Sequence, residues 1–418
     1  MKTAIWGFGS SGKSVYSFMI KEGFKPFIVD KKLKNEHLLP FFDRIIISPG
    51  IPINNIKLKN LTKSEKIIIP ELEFGYNLIK GKIIAITGTN GKTTTSYLIY
   101  NILKEFYRDK KIYLCGNIGT PITNLYLREG IFVMEVSSFQ LQFIKKFKPL
   151  IACILNISED HLDSHNSFEE YRNAKLKIFK NMDQDGILVL NFDDENLKNI
   201  DVSKVKTLHV SLEKKVKGIY YSKGEYVINL DGIKEKINDQ FEKFIGEGNR
   251  YNIAFSILVT FLLGVDKENI VSTLKKVEPL PHRLEPVRKI ESTLWINDSK
   301  STNPHSVLYA LKSFKSRHVI LILGGKNKNI SFEIIKEEVK KKVKKIILYG
   351  EAKDFLEDNL KGLKEIIKVN TVREAVIKAK QIAEKGDIVL FSPGLSSFDQ
   401  YKNYSERGED FKKWVREI

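Results

Sequence analysis

Cysteine and long apolar runs are both scarce in this sequence, and each shortage excludes a class of protein. Cysteine occurs only at Cys115 and Cys153, in each case beside apolar residues. Two thiols are too few for a disulfide framework or a cysteine-based metal site, so a reducing compartment is expected. The longest apolar run, residues 253–265, is too short to span a bilayer, and the N-terminal segment has no signal-peptide pattern. These absences predict a soluble, cytoplasmic protein.

Acidic residues are also few relative to basic ones. Lys and Arg number 69 against 51 Asp and Glu, which gives a formal net charge of +18. Such an excess suits nucleic acid, an anionic membrane or small anionic ligands. The densest run, KEEVKKKVKK at residues 336–345, has interleaved Val but no aromatic residue on which a base could stack. This run is therefore interpreted as the solvated face of a helix, and nucleic-acid binding is disfavoured.

Short apolar segments alternate with helical ones along the chain, which is typical of α/β domains built on parallel sheets. At 418 residues and 42% hydrophobic content, the chain can bury more than one core. The pattern restarts near residue 81 and again after Pro279 and Pro281, so domains are predicted at 1–80, 81–278 and 279–418. Strands are predicted at 2–6, 26–30, 43–47, 112–116, 131–136, 151–156, 294–298, 318–325, 345–350 and 387–394, and no repeat of fixed period is found.

The segment IIAITGTNGKTT, residues 83–94, leads from a strand into a phosphate-binding loop. A standard loop reads G-x-x-x-x-G-K-[ST], but here Ile86 stands where the first glycine belongs. The remaining parts are present, because glycines, a lysine and a threonine hydroxyl precede a helix that can bind phosphate at its N-terminus. We therefore predict ATP binding by a short or differently wound loop, through Gly88, Thr89, Asn90, Gly91, Lys92, Thr93 and Thr94.

A second glycine-rich turn lies near the N-terminus. Gly7 to Gly12, GFGSSG, follows a strand, and Asp30 comes 18 residues after Gly12, where a dinucleotide-binding enzyme holds ribose. Alone, this pattern suggests NAD. Because the chain has a separate ATP loop, binding of the diphosphate of another nucleotide-linked molecule is the better interpretation. A turn with a purely structural role is the alternative.

Polar residues follow the central strands where a phosphate site is expected. Glu135 ends one apolar run, His161 and Asp163 follow the next, and Lys175 lies on a predicted helix beyond them. Any one of these would usually be a surface residue or a satisfied core residue. Together at one sheet edge they suggest Mg²⁺ coordination in addition to the loop threonine.

Over essentially its whole length the sequence resembles the ATP-dependent Mur ligases of peptidoglycan synthesis. TGTNGKTT is common to that family and folylpolyglutamate synthase, whereas SPGLSSFDQYKNYSERG is similar to the members that add D-glutamate. The other matching motifs, in chain order, are GFGSSG, SPGIP, GNIGTP, EVSSFQL, SEDHLDSH, YRNAK, GEGNRYN, LPHRLE, INDSKSTNP and LGGKNKN.

The resemblance implies a Rossmann-like N-terminal domain for the UDP moiety, a central P-loop ATPase domain and a Rossmann-like C-terminal domain for the amino acid. It implies an amide ligase that joins D-glutamate to UDP-N-acetylmuramoyl-L-alanine through an acyl phosphate, with ATP and Mg²⁺ as cofactors. A monomer is expected, without nucleic acid or membrane as partner.

The resemblance also implies roles for individual residues. Lys92 and Thr93 would serve the phosphates and Mg²⁺, Glu135 and His161 would ligate a second Mg²⁺, and Lys175 would be carbamylated and so become an anion beside the metal. Further ATP contacts would be Asn249, Asn252, Arg283 and Asp298. UDP-substrate contacts would be Gly9, Ser10, Ser11, Asp30, Ser48, Pro49, Gly50, Asn117 and Ser137. D-glutamate contacts would be Lys300, Thr302, Lys328, Ser397 and Tyr404.

Two positions depart from the family pattern. Gly248 stands before Asn249 where histidine is often found, and Lys326 stands where an acid is common. Other functions stay open as alternatives: another Mur ligase, a folylpolyglutamate synthase-like ligase, an NAD-dependent oxidoreductase that would leave TGTNGKTT idle, or a non-catalytic nucleotide-binding protein.

Overall fold

The structure is a computed structural model that describes residues 1–52, 54–64, 66–159, 165–314, 318–327 and 330–418. His161, Asp163 and Lys328, which the sequence analysis singled out, lie outside the described residues. The chain divides into a first unit of residues 1–240 and 251–277 and a second unit of residues 241–250 and 278–418. The predicted domain boundaries stay predictions.

The first unit opens with a parallel four-stranded sheet of order β2-β1-β3-β4. Its strands are short apolar segments; all four residues of β1 are buried. Chain order reverses between β1 and β3, and doubly wound sheets bind ligands at such a reversal. The strands are β1 (Thr3–Trp6), β2 (Phe27–Val29), β3 (Arg44–Ile47) and β4 (Ile67–Pro70), and the helices are α1 (Ser10–Lys21), α2 (Ile56–Thr62) and α3 (Glu71–Tyr76).

The same unit contains a nine-stranded sheet of order β13-β12-β11-β10-β9-β8-β5-β7-β6. Strand β5 lies between β7 and β8, and the sheet is parallel from β6 to β11 and antiparallel beyond. The strands are β5 (Lys80–Thr87), β6 (Ile112–Gly116), β7 (Glu129–Glu135), β8 (Ile151–Ile154), β9 (Ile187–Asn191), β10 (Lys206–Ser211), β11 (Gly218–Ser222), β12 (Glu225–Leu230) and β13 (Ile233–Asn238). The helices are α4 (Lys92–Phe106), α5 (Ser138–Leu141), α6 (Phe168–Leu176), α7 (Glu247–Leu262, shared by the two units) and α8 (Lys267–Lys276).

The second unit has a six-stranded sheet of order β14-β15-β19-β16-β17-β18, in which β14 alone pairs antiparallel. Buried apolar residues cover both of its faces, and Phe391 stacks on Phe411 with ring centroids 4.4 Å apart. The strands are β14 (Glu285–Ile290), β15 (Thr293–Asn297), β16 (Val319–Gly324), β17 (Val343–Tyr349), β18 (Glu365–Lys368) and β19 (Ile388–Gly394). The helices are α9 (Pro304–Lys312), α10 (Lys336–Lys342), α11 (Lys353–Leu360), α12 (Val372–Ile382) and α13 (Tyr404–Glu417).

The described residues thus form three mostly parallel sheets, and the predicted α/β class is confirmed. One local prediction was wrong: the helix expected over residues 336–345 ends at Lys342, and Val343 begins β17. Val343 is buried and pairs with Val319 of β16. Pairing within the sheet therefore determines the structure from residue 343 onward, although the pattern of charges there is typical of a helix. Among the helices of the described ranges, none has both the length and the apolar content needed to cross a bilayer.

Two buried glutamates join the four-stranded sheet to the flank of the nine-stranded one. Glu71, at the start of α3, is 1% exposed and its Oε1 accepts hydrogen bonds from the Thr123 amide at 2.9 Å and the Thr123 hydroxyl at 2.7 Å. Glu73 accepts from the amides of Lys146 and Phe147 at 2.7 and 3.0 Å. Burial raises the pKa of Glu71. The two hydrogen bonds from Thr123 give this buried carboxyl group its polar partners at an otherwise apolar contact.

Replacing Thr123 with Val tests this joint. The isosteric change removes the hydroxyl donor and leaves Glu71 less satisfied, which we expect to destabilise the first unit by about 1–3 kcal/mol. Thermal unfolding should show a lower midpoint for Thr123→Val than for Thr123→Ser, which keeps the donor. Equal midpoints for the two variants would contradict the assigned role of the hydroxyl.

Candidate active site

The phosphate loop is short because β5 continues through the position of the missing glycine. Ile86 is a fully buried β5 residue paired with Glu135 and Cys153, so the turn begins only at Gly88. Gly88 and Gly91 have φ angles of +155° and +85°, which favour glycine. At Gly91 a Cβ would also lie 2.3 Å from Oδ1 of Asn252. The sequence expectation of a shortened loop therefore has a structural cause.

Two lysines converge on the first carbonyl of this loop. Lys92, the first residue of α4, folds back so that Nζ donates to the carbonyls of Gly88 and Thr89, at 2.8 Å each. Lys175 of α6 is 1% exposed, and its Nζ donates to the same Gly88 carbonyl at 2.7 Å. Its ammonium also lies 4.6 Å from the centroid of the Tyr171 ring. Together with the N-terminus of α4, these cations favour an anion at the loop.

A buried carboxylate lies on the neighbouring strand. Glu135 ends β7 at 2% exposure; its Oε1 accepts from Nδ2 of Asn117 at 2.6 Å, and its carbonyl accepts from the Asn117 amide at 2.8 Å. Its Oε2 is buried without a hydrogen-bond partner among the described residues. A buried carboxylate oxygen without a donor is costly unless a cation neutralises it. Glu135 therefore fits a divalent cation, although the described ranges hold no group of three His, Cys, Asp or Glu that could bind a metal.

The glycine-rich turn at the N-terminus lies where β1 and β3 end. Ser48 donates its hydroxyl to the Gly7 carbonyl at 2.7 Å, and a Cβ on Gly12 would lie 2.0 Å from that same carbonyl oxygen. Asp30 accepts from the amides of Phe8 and Lys32 at 2.8 and 2.9 Å, and these bonds lower the pKa of Asp30. The structure thus brings Asp30 and Ser48 to the turn, which also holds Gly9, Ser10 and Ser11; Pro49 and Gly50 follow β3.

Two other predicted ligand contacts have well-defined bonds within the protein. Ser137 caps α5: its hydroxyl donates to Oε1 of Gln140 at 2.9 Å and accepts from the Gln140 amide at 3.3 Å. Asn252 accepts from the Thr95 hydroxyl at 3.1 Å and packs against Gly91. Both residues shape the site, and their contacts with substrate or adenine stay predictions.

In the second unit, Asn249 donates from Nδ2 to the Ile245 carbonyl at 2.9 Å. The preceding Gly248 departs from the family pattern for a steric reason. A Cβ at Gly248 would lie 2.0 Å from the hydroxyl oxygen of Tyr309 and 2.1 Å from Cζ of the same ring. The tyrosine fills the space that a larger residue at position 248 would need.

Asp298 follows β15 and is buried within the second unit. Its Oδ2 accepts from the hydroxyls of Ser301 and Ser392, and its Oδ1 accepts from the Leu284 amide at 3.2 Å. Burial raises the pKa of Asp298 to about 6, although these bonds and the charge of Arg283 act in the opposite direction. Asp298 thus anchors the segment beside Arg283 to the end of β19.

Of the predicted amino-acid contacts, Lys300 and Thr302 follow β15, Ser397 follows β19 and Tyr404 begins α13. Lys300 places Nζ 4.1 Å from the centroid of the Tyr404 ring, while Thr302 is half-buried and Ser397 is buried. Lys326, the second departure, donates its amide to the Ser396 carbonyl at 2.8 Å. The structure therefore brings Lys300 and Tyr404 into contact, and Lys328 falls outside the described residues.

Sequence reasoning missed several residues that hold these loops. Arg407 is fully buried and donates to the carbonyls of Ser299 and Leu395 at 2.8 and 2.9 Å and to the Ser299 hydroxyl at 3.0 Å. Arg407 lies within the motif SPGLSSFDQYKNYSERG, and no other feature of the sequence pointed to it. Tyr171 and Asn156, which contact the phosphate loop, were given no role: Tyr171 lies in the motif YRNAK, and Asn156 ends the predicted strand 151–156.

Comparison with known proteins decides the family. Residues 86–260 match the Mur ligase middle domain, and residues 282–395 match the Mur ligase glutamate ligase domain. The UDP-N-acetylmuramoylalanine–D-glutamate ligase of Aquifex aeolicus is 39% identical, over 99% of this chain and 98% of that protein. The chain belongs to the Mur ligase family. A ligase of the same name from Clostridioides difficile is 37% identical over 90% of this Mur ligase and 84% of its own length.

Solved structures share the fold of this Mur ligase at lower identity. A pseudomurein peptide ligase type C from Methanothermus fervidus matches with a TM-score of 0.63 and 19% identity, covering all of both chains. MurF ligase from Thermotoga maritima, in complex with ADP, matches with a TM-score of 0.61 and 20% identity, over 93% of this chain and 92% of that one.

Asp298 should make the second unit more stable in acid than at neutral pH. Because its folded-state pKa of about 6 exceeds its ordinary value of 3.8, ionising it costs about 3 kcal/mol of folding stability. That penalty is absent below about pH 4, grows as the pH rises to about 6 and is complete above. Asp298→Asn should therefore raise the unfolding midpoint at pH 8 and lose this advantage at pH 4. Thermal scans at both values check the sign; an equal difference at both would contradict it.

Proposed function

We propose that this Mur ligase joins D-glutamate to UDP-N-acetylmuramoyl-L-alanine during the synthesis of peptidoglycan precursors, at the expense of ATP. The full-length relatives that carry this activity in their names support the proposal most directly. The phosphate loop, with Lys92 and Lys175 sharing one carbonyl, supports the use of ATP. We further propose that the enzyme acts as a monomer in the cytoplasm.

The reaction must first activate an inert acid. A carboxylate does not condense with an ammonium group at neutral pH, because its oxygen is a poor leaving group. The carboxylate of the alanyl group would attack the γ-phosphorus of ATP, forming an acyl phosphate and releasing ADP. The neutral amine of D-glutamate would then add to the acyl carbon, and the tetrahedral adduct would expel inorganic phosphate. Lys92 and the amides at the start of α4 would offset the charge developing on the transferred group.

Metal binding is assigned to Thr93, Glu135 and His161, with Lys175 contributing if it is carbamylated. Bound Mg²⁺ would neutralise the phosphate oxygens and draw electron density from the γ-phosphorus. The buried, partnerless Oε2 of Glu135 is the observation that fits such an ion. Asn117 would hold the other oxygen of that carboxylate and so fix its orientation.

The two glycine-rich loops divide the nucleotides between them. We assign the UDP diphosphate to the turn at Gly7–Gly12, with Asp30 and Ser48 bracing it and Asn117 and Ser137 further along the substrate. We assign the nucleotide of ATP to the central loop, and D-glutamate to Lys300, Thr302, Lys328, Ser397 and Tyr404. Arg407, which ties together the loops after β15 and β19, would keep the amino-acid contacts in register.

A coupled assay for ADP tests the proposed reaction. ADP release should require both UDP-N-acetylmuramoyl-L-alanine and D-glutamate, and a panel of other amino acids should give little turnover. The amide product should be detected by mass spectrometry in equal amount to ADP. Equal ADP release without either substrate, or a preference for a different amino acid, would overturn the assignment.

Lys92→Ala should separate an enzyme from a nucleotide-binding protein. Removing the ammonium leaves developing phosphate charge uncompensated, so turnover should fall by roughly 100-fold or more, by analogy with loss of one donor from a charge-stabilising site. Lys104→Ala, in the last turn of the same helix and over the Tyr100 ring, provides the matched control. Steady-state rates that fall equally in both variants would argue against a role for Lys92 in the chemical step.

A further inference from the structure

Asn156 lies directly beside the phosphate loop, just past the end of β8. Its side-chain Oδ1 accepts from the Asn90 amide at 2.8 Å, and its Nδ2 donates to the Asn90 carbonyl at 3.0 Å. Its own carbonyl accepts from the Thr89 amide at 2.9 Å. Asn156 thus hydrogen-bonds to both backbone polar groups of Asn90 and to the backbone amide of Thr89, much as a paired strand would.

The next residues extend this contact. The Ser158 amide donates to the Thr89 hydroxyl oxygen at 3.0 Å, and that oxygen also lies 3.2 Å from the Ser158 carbonyl. The same hydroxyl is 3.1 Å from that of Tyr171, whose ring faces the Lys175 ammonium. Hydrogen bonds from both Asn156 and Ser158 therefore join the segment after β8 to the phosphate loop.

A second layer of side chains holds that segment from behind. Asn191, at the end of β9, donates to the Leu155 carbonyl at 3.0 Å, and Asp194 accepts from the Ile157 amide at 2.7 Å. Asn196 donates to the Ile157 carbonyl at 2.7 Å. Asn156 is thus flanked by backbone groups that are fixed on either side, so its amide plane has a rigid support.

We propose that Asn156 is a positioning residue that sets the course of the phosphate loop and thereby the affinity for ATP. The loop lacks the first glycine of the standard motif and runs only from Gly88 to Gly91. Its backbone therefore cannot follow the path of a standard phosphate loop. Asn156 imposes the shape from the neighbouring strand. Because the amides of Thr89 and Asn90 are committed to Asn156, the phosphates are left to the amides at the start of α4 and to Lys92.

The inference rests on the proposed ATP-dependent reaction, and the experiment separates the two. Affinity for MgATP is measured by calorimetry, and KM for ATP and for D-glutamate by ADP release, in the full chain. Asn156→Ala should weaken MgATP binding by roughly 10- to 100-fold, the range expected for losing two partly buried hydrogen bonds. The KM for D-glutamate should change by no more than about twofold, since the loss acts at the loop.

Asn156→Asp supplies a signature that general destabilisation does not produce. Its ionised carboxylate would place a second oxygen against the Asn90 carbonyl, whereas the protonated acid can donate there as the amide does. Affinity for MgATP, relative to wild type at the same pH, should therefore be weakest where the introduced acid is ionised and should improve as the pH is lowered from 8 toward the ordinary Asp pKa of about 4. This variant also carries the test if Asn156→Ala does not fold.

Asn181→Ala is the matched control. Its Nδ2 donates to the carbonyls of Lys145 and Phe147 at 2.9 and 3.0 Å, in the segment before β8, so it too braces backbone from a side chain. It should lower the unfolding midpoint and leave MgATP affinity unchanged. If the Asn156 variants fold and bind MgATP within twofold of wild type at every pH, the inference is overturned; if wild type itself neither binds nor turns over ATP, the proposed function fails instead.

Discussion

The site depends on one carbonyl oxygen that accepts hydrogen bonds from two cations. Lys92 and Lys175 approach the Gly88 carbonyl from different helices, and Lys175 is buried. Like charges at such short range repel strongly outside bulk water, so the arrangement is favourable chiefly when an anion lies between or beside them. A phosphate group bound at the loop would supply that charge, and so would a carbamate on Lys175. Asn156 fixes the neighbouring loop residues Thr89 and Asn90, and so keeps this electropositive point in place.

The ends of the strands explain why these groups meet. Strands β5, β7 and β8 are adjacent and parallel, so their carboxyl ends deliver the phosphate loop, Glu135 and Asn156 to one edge. In the second unit, β15 and β19 deliver Asp298 and Ser397 in the same way, and Arg407 and Asp298 bind the loops together. Each unit thus uses buried charge at a sheet edge to fix the loops to which ligand contacts are assigned in the proposal.

Much of this could be predicted from the sequence, because the strands and the loop between Gly88 and Gly91 have local signals. Strand β6 has the predicted bounds. Strands such as β13, with its alternating charges, and β14, which contains Pro286, have no clear apolar run, and they were missed. The grip of Asn156 on Asn90 could not be predicted either, since it joins residues far apart in the chain and depends on which strands are neighbours. The types of residue in the sequence indicated the chemistry of the site. Only the order of the strands in the sheet showed which residues hold the phosphate loop in place.

The close approach of Tyr309 to Gly248 couples the two positions. A histidine at position 248, which the family pattern favours, would collide with the phenol ring unless the ring moved or was lost. A substitution at position 248 therefore requires the Tyr309 ring to turn away or to be replaced by a smaller side chain. Its effect on stability thus depends on the residue at position 309.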